Sequence, residues 1–199
     1  MERQQLLESW LKTQFPGKHF TLKTASADAS FRSYFRIFID DQTWIVMDAP
    51  PQQEDCKPFI QVAEMLANTG VHVPKVISQN LEQGFLLLSD LGNTTYLQVL
   101  SQHHEQANRL YNDATDALIK MQLSAQAKQL PEYDEALLRR ELNLFPDWYI
   151  AKHLQAELTQ NQKTLLENVF DQILQNNLNQ PKVFVHRDYH SRNLMVSSP

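Results

Sequence analysis

The chain has 199 residues, 42% of them hydrophobic and 21% charged, and 18 Lys and Arg against 23 Asp and Glu leave a formal net charge of -5. This is the composition of a globular chain with a buried core, and the acidic balance argues against a nucleic-acid binder, which needs a basic surface. No apolar run is longer than Phe85 to Leu88, too short for a membrane span or a signal-peptide core. The single Cys56 excludes an internal disulfide and a Cys-rich zinc site.

The expected setting is a reducing cytoplasm. Only Gly17, Gly70, Gly84 and Gly92 are available as glycines. Neither a G-x-G-x-x-G fingerprint nor a P-loop can be written from them, so any phosphate site must be built differently.

In chain order, Leu6, Leu7, Trp10 and Leu11 recur at helical spacing, and Pro16-Gly17 stops that helix. Strand-like runs follow at 20–24, 31–39 and 43–47. Phe31, Phe35, Ile37 and Ile39 are expected on one face of the second run, and Asp40-Asp41 turns it into the third. A helix is expected over 57–68, capped by Asp55, with Pro58 in its first turn and Gly70 past its end. Strands are expected at 71–77 and 85–89.

After Gly92 the pattern turns helical. Leu110, Ala114, Leu118 and Met121 line one side of a helix over 104–123. Further helices are expected at 135–144 (N-cap Asp134), from Pro146 to about 158, and at 164–178. Short strands at 183–185 and 194–196 flank a polar octet. The expectation is an α+β chain: residues 1–91 form a five-stranded antiparallel lobe with one helix, and residues 92–199 a mostly helical lobe.

The octet reads His186-Arg187-Asp188-Tyr189-His190-Ser191-Arg192-Asn193 and fits H-x-D-x-x-x-x-N. Phosphoryl transfer calls for this pair. An aspartate accepts a hydrogen bond from the attacking hydroxyl, and an asparagine offers Mg²⁺ an amide oxygen without adding negative charge beside the phosphates. An ionised carboxylate suffices for Asp188. The bland alternative is a polar turn whose Asp and Asn bond local backbone. The three fixed positions would match by chance in a chain of this composition roughly 2% of the time.

With its flanks, FVHRDYHSRNLM resembles the catalytic loop of the aminoglycoside phosphotransferase and choline kinase superfamily. ASADASFRSYFR at 25–36 resembles that superfamily's nucleotide loop and following strand. VHVPKVI at 71–77 resembles its strand after the αC-type helix, and FLLLSDLG at 85–92 its strand and hinge. VMDAPP, YDEALLRREL and FVHRDY are similar to the bacterial cell-wall amino-sugar kinases, which act on the anomeric hydroxyl of N-acetylmuramate and N-acetylglucosamine in peptidoglycan recycling.

The resemblance implies a protein-kinase-like two-lobed fold using ATP and Mg²⁺. Asp188 would be catalytic and Asn193 the metal ligand. Ser26, Ala27, Asp28, Ala29, Ser30 and Arg32 would cover the phosphates, and Leu88, Ser89, Asp90 and Leu91 would hold the adenine. Arg139, Glu135 and Arg192 are the candidate substrate contacts, while Trp148 and Tyr149 are either core aromatics or a sugar platform. Small-molecule alternatives are an aminoglycoside- or choline-type kinase. A non-catalytic nucleotide-binding fragment is the reading from another class.

Three departures from the resembled pattern shape these expectations. The superfamily's second metal aspartate falls beyond Pro199. The expectation is therefore a partial second lobe, with an exposed apolar face prone to self-association. The phosphate loop carries small residues in place of glycine. The strand that would carry a phosphate-binding lysine reads Trp44-Ile45-Val46-Met47-Asp48. Lys23, Arg32, Arg36 and Lys57 are then the candidate cations, and Glu64 the candidate αC-type glutamate. His186 reads as a structural loop residue, and His103, His104 and His190 read as exposed.

Overall fold

The computed structural model describes residues 2–27, 31–124 and 130–197, with Ser26, Ala27 and Ser124 described for their backbone alone. The chain divides into two compact units. One is Met1–Ala125 together with His186–Pro199, and the other is Gln126–Val185.

The first unit is built on an antiparallel sheet. Its strands are β1 (Thr21–Ala27), β2 (Ser33–Ile39), β3 (Gln42–Asp48), β4 (Val76–Asn80) and β5 (Phe85–Ser89), in the order β1-β2-β3-β5-β4. Side chains of a strand alternate between faces, and each face here has its own helix. Ile37, Ile39, Val46, Phe85 and Leu87 pack against Leu7, Trp10 and Leu11 of α1 (Arg3–Gln14). Met47, Leu86 and Leu88 face the other way, with Ala49, Cys56 and the Phe59 and Ile60 side chains of α2 (Lys57–Ala67). β5 is buried on both faces, which is why Phe85–Leu88 reads as a continuous apolar run.

The expected elements of this unit are present with corrections. Phe31 is not on the β2 face; it precedes the strand and is 63% exposed. The strand expected at 71–77 begins only at Val76, because Pro74 has no N–H for a ladder and Gly70 turns the chain at φ +78°. Helix α3 (Tyr96–Gln102) was not anticipated. Thr95 and Gln98 form a capping box around its first turn.

The long helix expected from residue 104 is a single 3₁₀ turn, His104–Gln106, followed by α4 (Ala107–Ser124). The N-cap of α2 is Cys56 rather than the expected Asp55, one residue earlier, although Asp55 accepts the Lys57 N–H at 2.9 Å.

In the second unit, α5 (Glu135–Leu144) is capped by Asp134, whose carboxylate accepts the Leu137 N–H at 2.9 Å. The segment expected as an α-helix from Pro146 is instead a π-helical stretch, Phe145–His153, continuous with α5. Pro146 cannot donate to the carbonyl four residues back, and the chain continues in the wider ladder, as in Leu154 N–H to Tyr149 O. α6 (Gln160–Leu178) starts four residues earlier than expected, at a second capping box, Thr159 with Gln162. Phe170, Leu174 and Phe184 are the buried apolar residues of this unit among those described.

Candidate active site

The octet is a loop without flanking strands, which corrects the expected strand–loop–strand. Residues 183–185 are coil, and 194–196 contribute one bridge, Thr95 to Met195. For residues 194–196 the reason is the start of α3. A helix leaves its first N–H groups without internal partners. Here Tyr96 N–H donates to Leu194 O at 2.9 Å and Leu97 N–H to Ser191 O at 3.0 Å, while Val196 N–H returns to Thr94 O at 2.9 Å. The loop's carbonyls satisfy the helix end, and residues 194–196 are held there without a strand partner.

Tyr189 ties the loop to α4. It packs against the cluster of Tyr96, Leu110 and Ala114, as Leu194 and Val196 also do, and its hydroxyl donates to Ala114 O at 2.6 Å. Burial pushes the phenol above its ordinary range, so it remains a donor. His186 lies edge-on to Tyr189, and burial pushes its pKa down, against the pull of Asp188, so the ring is neutral near pH 7. Its Nδ1 accepts the Asp188 N–H at 3.4 Å. The structural role read for His186 agrees with this placement.

Between these two anchors Arg187 adopts φ +71°, a region that costs a non-glycine residue about 1–2 kcal/mol. The strained step turns Asp188 outward, and its side chain is 68% exposed.

Asn193 closes the loop. Its Nδ2 donates to Asp188 O at 3.0 Å and to Asp188 Oδ2 at 2.5 Å. An amide whose nitrogen is so engaged turns its oxygen away, which leaves Asn193 Oδ1 as an acceptor for a cation. His190 Nε2 lies 2.9 Å from the other carboxylate oxygen, Asp188 Oδ1. His190, read from sequence as merely exposed, is thus part of the cluster. Its D-x-H spacing was visible, but nothing local signals that a turn folds the ring back.

The hinge expected at 88–91 is braced from within the sheet. Arg36 of β2 grips Asp90, Nε to Oδ2 at 2.6 Å and Nη2 to Oδ1 at 3.0 Å, and also donates to Gly92 O at 2.7 Å. Burial opposes the charge on Asp90, but the hydrogen bonds from Arg36, Gly92 N–H and Thr43 outweigh it and hold the carboxyl below its usual range. Leu88 is buried, and Ser89 exchanges hydrogen bonds with Lys75. The Leu91 N–H has no partner among the described residues, the condition for a backbone donor to a purine edge.

The candidate cations are mostly engaged. Arg32 is paired with Glu54 at 3.1 Å, and Lys23 lies over the Phe38 ring. Asp48, in the expected lysine strand, is buried and bound by Arg3 of α1, whose Nε donates at 2.8 Å; neighbouring Met47 is in the core. Lys57 and Glu64 line one shallow depression with Ile60, Gln61, Gln79 and Leu81.

Asp28, Ala29 and Ser30 lie outside the described residues, and Ser26 and Ala27 end β1. Arg192 is exposed in the octet. In the second unit, Glu135 is exposed at the start of α5, and Arg139 is bound by Glu167 at 2.8 Å and by Asp171, both on α6. Trp148 and Tyr149 are 64% and 50% exposed rather than core.

As for a metal, Asn193 Oδ1 beside Asp188 fits the one or two oxygen ligands that a protein adds to a phosphate-bound Mg²⁺. No group of three His, Cys, Asp or Glu that could hold a metal occurs among the described residues.

Comparison with known sequences decides the family: residues 21–199 match the phosphotransferase enzyme family. The chain belongs to that family. A Pseudomonas aeruginosa protein called N-acetylmuramate/N-acetylglucosamine kinase is 56% identical over 175 residues, covering 88% of this chain and 51% of that protein. A protein of the same name from Neisseria meningitidis is 42% identical over 200 residues, covering 99% and 59% respectively. The chain thus spans about half the length of the curated relatives it matches. A crystal structure of a Ralstonia eutropha protein, provisionally called an aminoglycoside phosphotransferase, has the same fold. Its TM-score is 0.57 at 15% identity, covering 98% of this chain and 60% of that one.

Proposed function

We propose that this chain carries the nucleotide lobe and catalytic loop of an ATP-dependent kinase for the anomeric hydroxyl of N-acetylmuramate or N-acetylglucosamine. The observation that carries the reading is the pair in the loop: an exposed Asp188 carboxylate that accepts from the Asn193 amide nitrogen, which leaves the amide oxygen for a cation. The names borne by relatives at 42% and 56% identity supply the substrate.

In this reading the sugar hydroxyl donates to Asp188. As its oxygen bonds to the γ-phosphorus, the bond to the β,γ-bridging oxygen breaks, ADP leaves, and the hydroxyl proton passes to the carboxylate. An anomeric hydroxyl is more acidic than an ordinary alcohol, so an ionised aspartate is base enough. Asn193 Oδ1 would hold Mg²⁺, which when bound neutralises charge on the phosphates. The Leu91 main chain would receive the adenine, with Asp90 and Arg36 fixing the chain there. Arg192 would face an anionic group of substrate or nucleotide, and Ser26 to Ser30 with Arg32 would cover the phosphates. Glu135 and Arg139 are weaker substrate candidates, since α6 already occupies Arg139.

A cytoplasmic place in peptidoglycan recycling goes with this substrate, and no helix among the described residues is long and apolar enough to cross a membrane. Self-association through the exposed apolar residues of the second unit belongs to the same reading. A binding-only role, nucleotide held without transfer, is the competing reading.

The test is a phosphorylation assay with ATP and Mg²⁺ across N-acetylmuramate, N-acetylglucosamine, choline and aminoglycosides. Amino-sugar 1-phosphate is the expected product, and Asp188→Ala should abolish turnover while ATP still binds. Phosphorylation of choline or an aminoglycoside instead would replace the substrate. ATP binding without any transfer would favour the binding-only role.

A further inference from the structure

We infer that His190 is a positioning residue for Asp188. The inference rests on the phosphotransfer reading and adds a residue to it. Asp188 needs fixing for its role and has little packing to do so, being 68% exposed. A carboxylate with one oxygen held can still swing about its Cβ–Cγ bond; with both held it has one orientation. Asn193 Nδ2 donates to Oδ2 at 2.5 Å, and His190 Nε2 lies 2.9 Å from Oδ1.

The backbone sets the tautomer that makes the second contact a donation. Arg192 N–H donates to His190 Nδ1 at 3.2 Å, so Nδ1 carries a lone pair and the ring proton sits on Nε2, the nitrogen 2.9 Å from Asp188 Oδ1. The same residue is tied down at its carbonyl, which accepts Asn193 N–H at 2.9 Å. His190 therefore couples the two working residues: its ring orients Asp188 and its carbonyl holds the main chain of Asn193. Each Asp188 oxygen keeps a lone pair, so the pinned carboxylate can still accept the substrate hydroxyl.

Two measurements on the protein carrying this chain test the inference. Nitrogen-15 NMR of the His190 ring should report a protonated Nε2 and an unprotonated Nδ1, and the opposite tautomer would overturn the proposal. In steady-state kinetics, His190→Ala should lower kcat roughly ten- to a hundredfold, the loss of one hydrogen bond to a charged group. KM for ATP should stay put. His190→Gln, whose amide nitrogen can occupy the Nε2 position, should recover most of the loss. An unchanged kcat in His190→Ala, or a Gln variant as poor as the Ala variant, would also overturn it. No turnover by the wild-type protein would instead sink the kinase reading, and the ring-nitrogen signals would still decide the His190 contact.

Discussion

Arg36 and Asp90 are separated by 54 residues and meet as a near-buried pair, with 19% and 5% of their side chains exposed. Removing one charge of such a pair leaves the other uncompensated. Asp90→Asn should lower stability at pH 7 by about 2 kcal/mol, read from urea unfolding. Because the folded-state pKa of Asp90 is depressed, its contribution is fully present above the unfolded value, near 3.9. It is lost as pH falls through the lower folded value. The gap between wild type and variant should thus stay constant from pH 7 to about pH 5 and close only in stronger acid. A gap that closes near neutrality would assign the effect to another group. Asp188 and Asn193 were legible in sequence because a loop sets their five-residue separation. The Arg36–Asp90 pair was not, since it depends on the combined register of β2, β3 and β5, with β3 lying between the other two.

Sheet and turn geometry reaches its tightest point at Gly84. It has φ +72°, and a Cβ there would sit 1.8 Å from Ala49 O, the residue whose N–H bonds Gly84 O. Gly70 has a similar φ of +78° but nothing within 4 Å of a Cβ. The pair separates conformational strain from steric exclusion. Gly70→Ala should cost about 1 kcal/mol from backbone strain alone. Gly84→Ala should cost about 3 kcal/mol or more, because the β3–β5 edge must also move. Equal shifts in the urea midpoint would contradict this difference.

Helix starts illustrate the same mixture of local and distant causes. Thr95-x-x-Gln98 and Thr159-x-x-Gln162 are capping boxes visible in the sequence, and would have placed α3 and the true start of α6. The π-helical turn after Leu144 has only Pro146 to announce it.

Stability is unevenly spread across the molecule. The sheet buries Ile37, Val46, Met47, Phe85 and Leu86 completely, while the second unit leaves Leu144, Trp148, Leu154 and Leu165 about half or more exposed. Amides near the middle of α6 should therefore exchange with solvent about a hundredfold faster than those of β3 and β5. Hydrogen exchange read by mass spectrometry would show it, and equal protection would mean that the second unit is covered by something in solution.

Local chemistry was enough to announce the sheet, its two helices, the α5 cap and the H-x-D-x-x-x-x-N loop. Periodicity, turn residues and capping act over a few residues, and a sequence displays them directly. The orientation of Asp188 was not available that way. It depends on a strained Arg187, a tyrosine anchored on a helix 75 residues earlier, and a histidine whose tautomer is chosen by a backbone N–H. The path of residues 194–196 depended likewise on the N–H groups at a distant helix start. Hydrogen bonds between segments far apart in the chain leave no periodic trace, and folding alone brings their partners together.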